Sequence, residues 1–140
     1  MRPTEYVTPE MIDERASRWL EEIRGLVKPQ QTLQLRPERC ALLVIDMVRH
    51  FAHPEGRCFL PASRAIVPQL AALLEVWRAR GWPLVFTRHC HEGERELGLM
   101  GRFYSDFIRC DEPEAEIITE LSPRERVVRN PPDHRRDRRA

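Results

Sequence analysis

Apolar positions along the chain fall into two kinds of pattern. Ile12, Ala16, Trp19, Leu20, Ile23 and Leu26 recur at helical spacing. Before them stands Thr8-Pro9-Glu10, a hydroxyl, a proline and an acid in the order that opens a helix. A helix is predicted from there to about Val27, stopped by Lys28-Pro29, with residues 30–39 as a connector. Cys40-Ala41-Leu42-Leu43-Val44-Ile45 is different: a continuous apolar run with polar flanks, which predicts a short strand buried on both faces of a parallel sheet. Residues 47–60 read as a loop. Pro61 then opens a helix whose stripe is Ile66, Leu70, Leu73, Leu74 and Trp77, with Gly81 as its stop. Pro83 to Thr87 is a second apolar strand. Strand, helix and strand in this order predict a βαβ unit with a right-handed crossover and parallel strands.

Beyond it the pattern weakens. Residues 88–112 read as a long loop with a turn of helix near Phe103 to Ile108, and a loop of that length is usually functional or an interface. Ala115 to Leu121 suggests a short helix, and Glu125 to Arg129 a third strand. Residues 130–139 hold nothing apolar to bury and are expected to be disordered.

Composition narrows the class. Apolar residues make up 41% of the 140, enough for one soluble globular domain and too many for a disordered chain. No apolar run approaches the roughly 20 residues of a membrane helix, and the charged start does not read as a secretory signal. A cytoplasmic protein with no membrane partner is expected. Net charge is +1, and seven arginines gather between Arg124 and Ala140. That stretch lacks interleaved aromatics and helical period, so no nucleic-acid partner is expected. Cys40, Cys58, Cys90 and Cys110 form no CxxC pair and read as isolated reduced thiols that pack as small apolar side chains.

Asp46 carries the sharpest chemical signal. An acid directly after a buried strand lies at the carboxyl end of the sheet, where ligands bind in open α/β folds. Partial burial there suits a carboxylate to proton transfer. The same residue could instead cap the following turn, and the pattern leaves both readings open.

Leu42-Leu43-Val44-Ile45-Asp46-Met47, then Phe51, then Pro54-Glu55-Gly56, resembles the opening LLVIDMQNDF-like motif of the isochorismatase-like cysteine hydrolases. The likeness continues through Ile66-Val67-Pro68, Arg80 to His89, Ala115 to Ile118, and Leu121-Ser122-Pro123, covering roughly residues 36 to 129. It implies a three-layer α/β/α fold with a parallel sheet, here truncated. The organisation expected is an N-terminal helical extension over 1–35, an incomplete hydrolase domain over 36–129 and an Arg-rich tail over 130–140. The implied chemistry is covalent: an Asp takes a thiol proton, a Lys supports it, and the thiolate attacks a small amide, carbamoyl compound or vinyl ether.

By motif, Asp46 is the catalytic acid, and Phe51, Arg88 and His89 are expected to bind substrate. Arg88 would do so through a guanidinium suited to carboxylates. The lysine is expected after the third strand, where Asn130 stands, and the nucleophile further on. Cys90, after the second strand, lacks the nucleophile's flanks. Little or no turnover is therefore expected of this chain alone. A non-catalytic binding or oligomerisation module on the same fold is the alternative. His89-Cys90-His91 occupies the place of a metal-binding pair in the nicotinamidase branch, and could be a zinc site. Pocket lining is the favoured reading, with neither metal nor cofactor expected. Val48 and His50 replace the family's usual Gln and Asp. The Arg-rich residues after Arg129 read like a shifted frame. The expected partners are a small-molecule substrate and a second copy of the chain.

Overall fold

The computed structural model describes residues 6–26, 34–103, 106–124 and 127–129. The chain folds as two compact units, one drawing on Met1–Leu42 and Leu60–Leu84, the other on Leu43–Phe59 and Val85–Ala140.

In the first unit, helix α1 spans Ile12–Arg24 and begins later than its sequence suggests. The Thr8 hydroxyl bonds the Glu10 carboxylate instead of a helix N–H, and the Thr8 carbonyl accepts from the Met11 N–H in a separate turn. None of the α1 residues is buried. Helix α3, Pro61–Ala65, and helix α4, Val67–Arg80, replace the single helix expected from Pro61. Pro68 is the reason: it has no N–H to carry a helix through, and it fits the first turn of a new one. Of the expected stripe only Leu74 is fully buried, joined by Val67, Ala65 and Val7. Gly81 stops α4 in the left-handed conformation, at φ 64°.

The second unit holds most of the sheet. Strands β1 (Leu42–Val44), β2 (Leu84–Arg88) and β3 (Val127–Arg129) lie in that order. β2 and β3 are parallel, with Phe86 opposite Val127 and Arg88 opposite Arg129. From β1 to β2, the Leu42 N–H donates to Pro83 O and the Asp46 N–H to Thr87 O, four residues on along both chains, as a parallel pair requires. The α/β class with a parallel sheet is as read from the sequence. β1 is not buried on both faces, however. It lies at one edge, and only Val44 is enclosed, while Leu43 and Ile45 are 53% and 61% exposed.

Between the strands, helix α2 covers Arg49–Ala52, within what reads as a loop. There are 3₁₀ turns at Glu94–Leu97 and Met100–Arg102, while residues 104 and 105 of the turn expected near Phe103 to Ile108 lie outside the described residues. The helix expected over Ala115–Leu121 is replaced by 3₁₀ turns at Pro113–Ala115 and Thr119–Leu121. Between them the chain pairs antiparallel with the start of α2: Val48 bridges Ile117, the Arg49 N–H donates to Glu116 O, and the Ile118 N–H to Met47 O. Those backbone groups are therefore committed across the chain instead of along a helix. Asn130 and the tail over 130–140 lie outside the described residues, as do Glu125 and Arg126 of the expected third strand.

Candidate active site

Every residue of the candidate site belongs to the second unit. Asp46 stands two residues after β1 with φ 54°, the one non-glycine residue in the left-handed region among those described. Aspartate enters that region more readily than most residues because its short polar side chain bonds locally. Here the partner is Thr87, whose hydroxyl donates to Asp46 Oδ1 at 2.8 Å while the Asp46 N–H points back to Thr87 at 3.3 Å. On the other side, the pairing of residues 47–49 with 116–118 fixes the outgoing chain. The bend is thus held from both directions, with the carboxylate half-buried at the end of the sheet.

Phe51 and His89 are brought together, their ring centres 6.2 Å apart. Both line a cavity of about 530 Å³, whose wall also includes His50, His91, Leu97, Phe107 and Ile108. Arg88 ends β2 next to His89, yet neither Arg88 nor Asp46 contributes to that wall. A larger open depression, about 740 Å³, lies over residues 92–96, Asp106 and Glu112; it is mainly acidic and contains none of the residues singled out from the sequence.

The cavity rests on an ionic cluster. His50 is 8% exposed and meets Glu114 through Nδ1. Glu114 also accepts from Arg57 Nε at 2.7 Å, and Arg57 reaches both oxygens of Asp106 at 2.7 Å and Glu112 at 3.1 Å. Burial pushes the Glu114 carboxyl up, but the bonds from His50 and Arg57 outweigh it and hold the group below the usual carboxylate range. The same bond to Glu114 is the main reason the Arg57 guanidinium is pushed further up. Segment 56–58 reaches this place because residue 56 is glycine: a Cβ there would stand 2.2 Å from Arg49 O and 2.4 Å from His50 O. The Cys58 N–H then donates to His50 O.

The reading of four isolated thiols is corrected. Cys90 and Cys110 form a disulfide, with Cα atoms 4.9 Å apart, while Cys40 and Cys58 are free. The cause is a bridge between His91 and Arg109, which sets the two cysteines side by side from twenty residues apart. Cys90 is therefore available neither as a nucleophile nor as a zinc thiolate. His89 and His91 pack edge to face, 4.9 Å between ring centres, and among the described residues no group of three or more His, Cys, Asp or Glu side chains is arranged to hold a metal.

Sequence reasoning missed Thr87, Arg57 and Glu114, and noted His50 only as a departure from a motif. A polar Thr ending an apolar strand, and a Gly before Arg57, were the available signals.

Known proteins share the family and the fold of this chain. The isochorismatase domain model matches residues 40–133. Nicotinamidase 3 of Arabidopsis thaliana is 30% identical over 96 residues, covering 64% of this chain and 44% of that protein. A cysteine hydrolase from Pseudomonas syringae pv. phaseolicola 1448A superposes with a TM-score of 0.60 at 25% identity, over 73% of this chain and 50% of that one. N-carbamoylsarcosine amidase from Thermoplasma acidophilum does so with a TM-score of 0.52 at 28% identity, over 64% and 50%. The chain spans about half the length of these relatives. With the family model covering most of its residues and an acid fixed at the end of a parallel sheet, this chain belongs to the isochorismatase family of hydrolases.

Proposed function

We propose that the chain carries the proton-accepting and substrate-holding part of a hydrolase for small amides, carbamoyl compounds or vinyl ethers. Asp46 is the base, and Phe51, Arg88 and His89 hold the substrate. The observation that carries this reading is the backbone at Asp46. A left-handed non-glycine residue costs free energy that the surroundings must supply, and such positions gather at functional sites. The relatives named for nicotinamide and N-carbamoylsarcosine chemistry support the substrate class. On an amide or carbamoyl group the carboxylate takes a thiol proton and the thiolate adds to the carbonyl carbon; the C–N bond then breaks, the amine leaves with that proton, and water hydrolyses the thioester to restore the thiol. Asn130 stands in the place of the supporting lysine, and Cys90 is bonded to Cys110. On those grounds the 140-residue chain alone is proposed to have little or no turnover. The test is a product assay on nicotinamide, N-carbamoyl amines and isochorismate, with and without iodoacetamide. Any hydrolysis seen should vanish in Asp46→Asn and after alkylation. Turnover that survives Asp46→Asn refutes the assignment.

A second reading, a module that pairs with a copy of itself, is favoured by α1. That helix buries none of its residues and leaves Trp19, Leu20 and Ile23 at 41%, 59% and 47% exposure. A homo-oligomer is its expectation, and sedimentation as a monomer at micromolar concentration excludes it.

A further inference from the structure

The Cys90–Cys110 bond joins the two ends of a stretch that supplies much of the candidate cavity's wall. His91, Leu97, Phe107 and Ile108 lie between the two cysteines, and so does Asp106, which accepts from Arg57. Cys90 and Ile108 form a small buried cluster with Ala115, and Phe51 packs against it. Two backbone hydrogen bonds run beside the disulfide: His91 N–H to Ile108 O at 2.8 Å, and Cys110 N–H to His91 O at 3.0 Å. The Arg57–Asp106 ion pair adds little, because its partners are 39% and 68% exposed. Against such ties, a covalent link closing a loop of this length favours the fastened arrangement about a hundredfold. The buried core of the sheet is elsewhere: Val44, Val48, Phe86, Ile118 and Leu121 all lie outside residues 90–110. Breaking the bond therefore loosens the cavity wall before it touches the sheet. The two sulfurs are not equally placed, since Cys90 is 2% exposed and Cys110 is only partly buried.

We propose that Cys90 and Cys110 form a thiol–disulfide switch. Oxidised, the pair fastens residues 106–110 against the cavity; reduced, it releases them and the cavity loses that wall. The reductant is a small thiol of the glutathione kind. Its thiolate attacks the Cys110 sulfur, the S–S bond breaks, and Cys90 leaves as a thiolate that takes a proton from water. A second small thiolate attacks the outer sulfur of the mixed disulfide, Cys110 leaves and is protonated in turn, and the small disulfide departs. Two electrons have passed from the two small thiols to the cysteine pair. The small disulfide runs the same steps backwards. This device goes beyond the hydrolase reading and depends neither on Asp46 nor on any turnover.

The test uses the whole chain, isotope-labelled, as wild type and with Cys40→Ser and Cys58→Ser, so that in the second protein only the pair can react. Both are equilibrated near neutral pH in glutathione mixtures, from the oxidised form alone to about a hundredfold excess of the reduced form. Alkylation in denaturant counts the thiols, and NMR reads the fold. In the doubly substituted chain the count should rise from none to two. On reduction of either protein the resonances of Ile108, Arg109 and Cys110 should move to random-coil positions and the Phe51 ring shifts should change. Those of Asp46, Phe86 and Ile118 should stay in place, and oxidised glutathione should restore the first spectrum. A pair that stays oxidised throughout overturns the proposal. So does a reduced chain whose 108–110 resonances do not move, loss of the sheet resonances together with them, or failure of the oxidised spectrum to return.

Discussion

Gly56→Ala should unfold the corner that presents His50 and Phe51. The new Cβ would lie 2.2 Å from Arg49 O and 2.4 Å from His50 O, against an ordinary separation of about 3.5 Å. Both obstacles are backbone atoms of α2, so no side chain can swing aside. The segment must retreat by roughly 1 Å, and overpacking of this kind costs about 1–3 kcal/mol. The retreat also strains two hydrogen bonds, Gly56 N–H to His53 O at 2.8 Å and Cys58 N–H to His50 O at 3.2 Å, each contributing about 1 kcal/mol. The expected loss is about 2–4 kcal/mol, or about 1–2 M in the urea midpoint. Trp19, Trp77 and Trp82 all belong to the other unit, so far-UV circular dichroism and amide exchange in residues 49–58 are the proper reporters. Gly25→Ala and Gly93→Ala are the controls: neither Cβ meets anything within 4 Å, and neither backbone is left-handed. They should be neutral or slightly stabilising. A Gly56→Ala protein as stable as these two would refute the close approach of the 56–58 segment to α2.

Other outcomes follow from the same geometry. The oxidised chain should show two titratable thiols under denaturing conditions instead of four, and Cys110→Ser should lower stability by about 3 kcal/mol, as expected for a closed loop of this length; four thiols would deny the bond. Glu114 is held below its usual range, so its contribution is present above the unfolded value of about 4.3 and is lost as pH falls through the folded one. Wild-type stability should therefore drop more steeply between about pH 5 and about pH 3 than that of Glu114→Gln; parallel curves would contradict it. Thr87→Val should cost about 1 kcal/mol by removing the donor to Asp46 Oδ1, read as a shift in thermal midpoint.

What the sequence made legible was local. The apolar run before Asp46, the stop at Gly81 and the second strand ending by Arg88 are each dictated by neighbours a few residues away, and the structure places them close to where the pattern does. What it hid was either a local competition or a long-range contact. Thr8 looks like a helix cap but spends its hydroxyl on Glu10, and Pro68 divides a helix whose apolar period runs on unbroken. The His50–Glu114 contact joins residues 64 apart, and Arg57 to Glu114 joins residues 57 apart, so no window of periodicity contains them. The Cys90–Cys110 bond depends on a bridge between two loop strands that carry no strand pattern at all. The exposure of Leu43 and Ile45 is likewise a property of where β1 lies in the sheet, not of its composition.

The left-handed bend at residue 46 acts as a filter on mutation. In a saturation library, branched residues such as Val, Ile and Thr are penalised by their own Cβ, by roughly 1–2 kcal/mol, before chemistry is ever consulted. Asn and Gly pass, and both are a single base change from an aspartate codon. At this codon Asn and Gly should therefore keep the chain's stability, while the other replacements should lower it by about that amount.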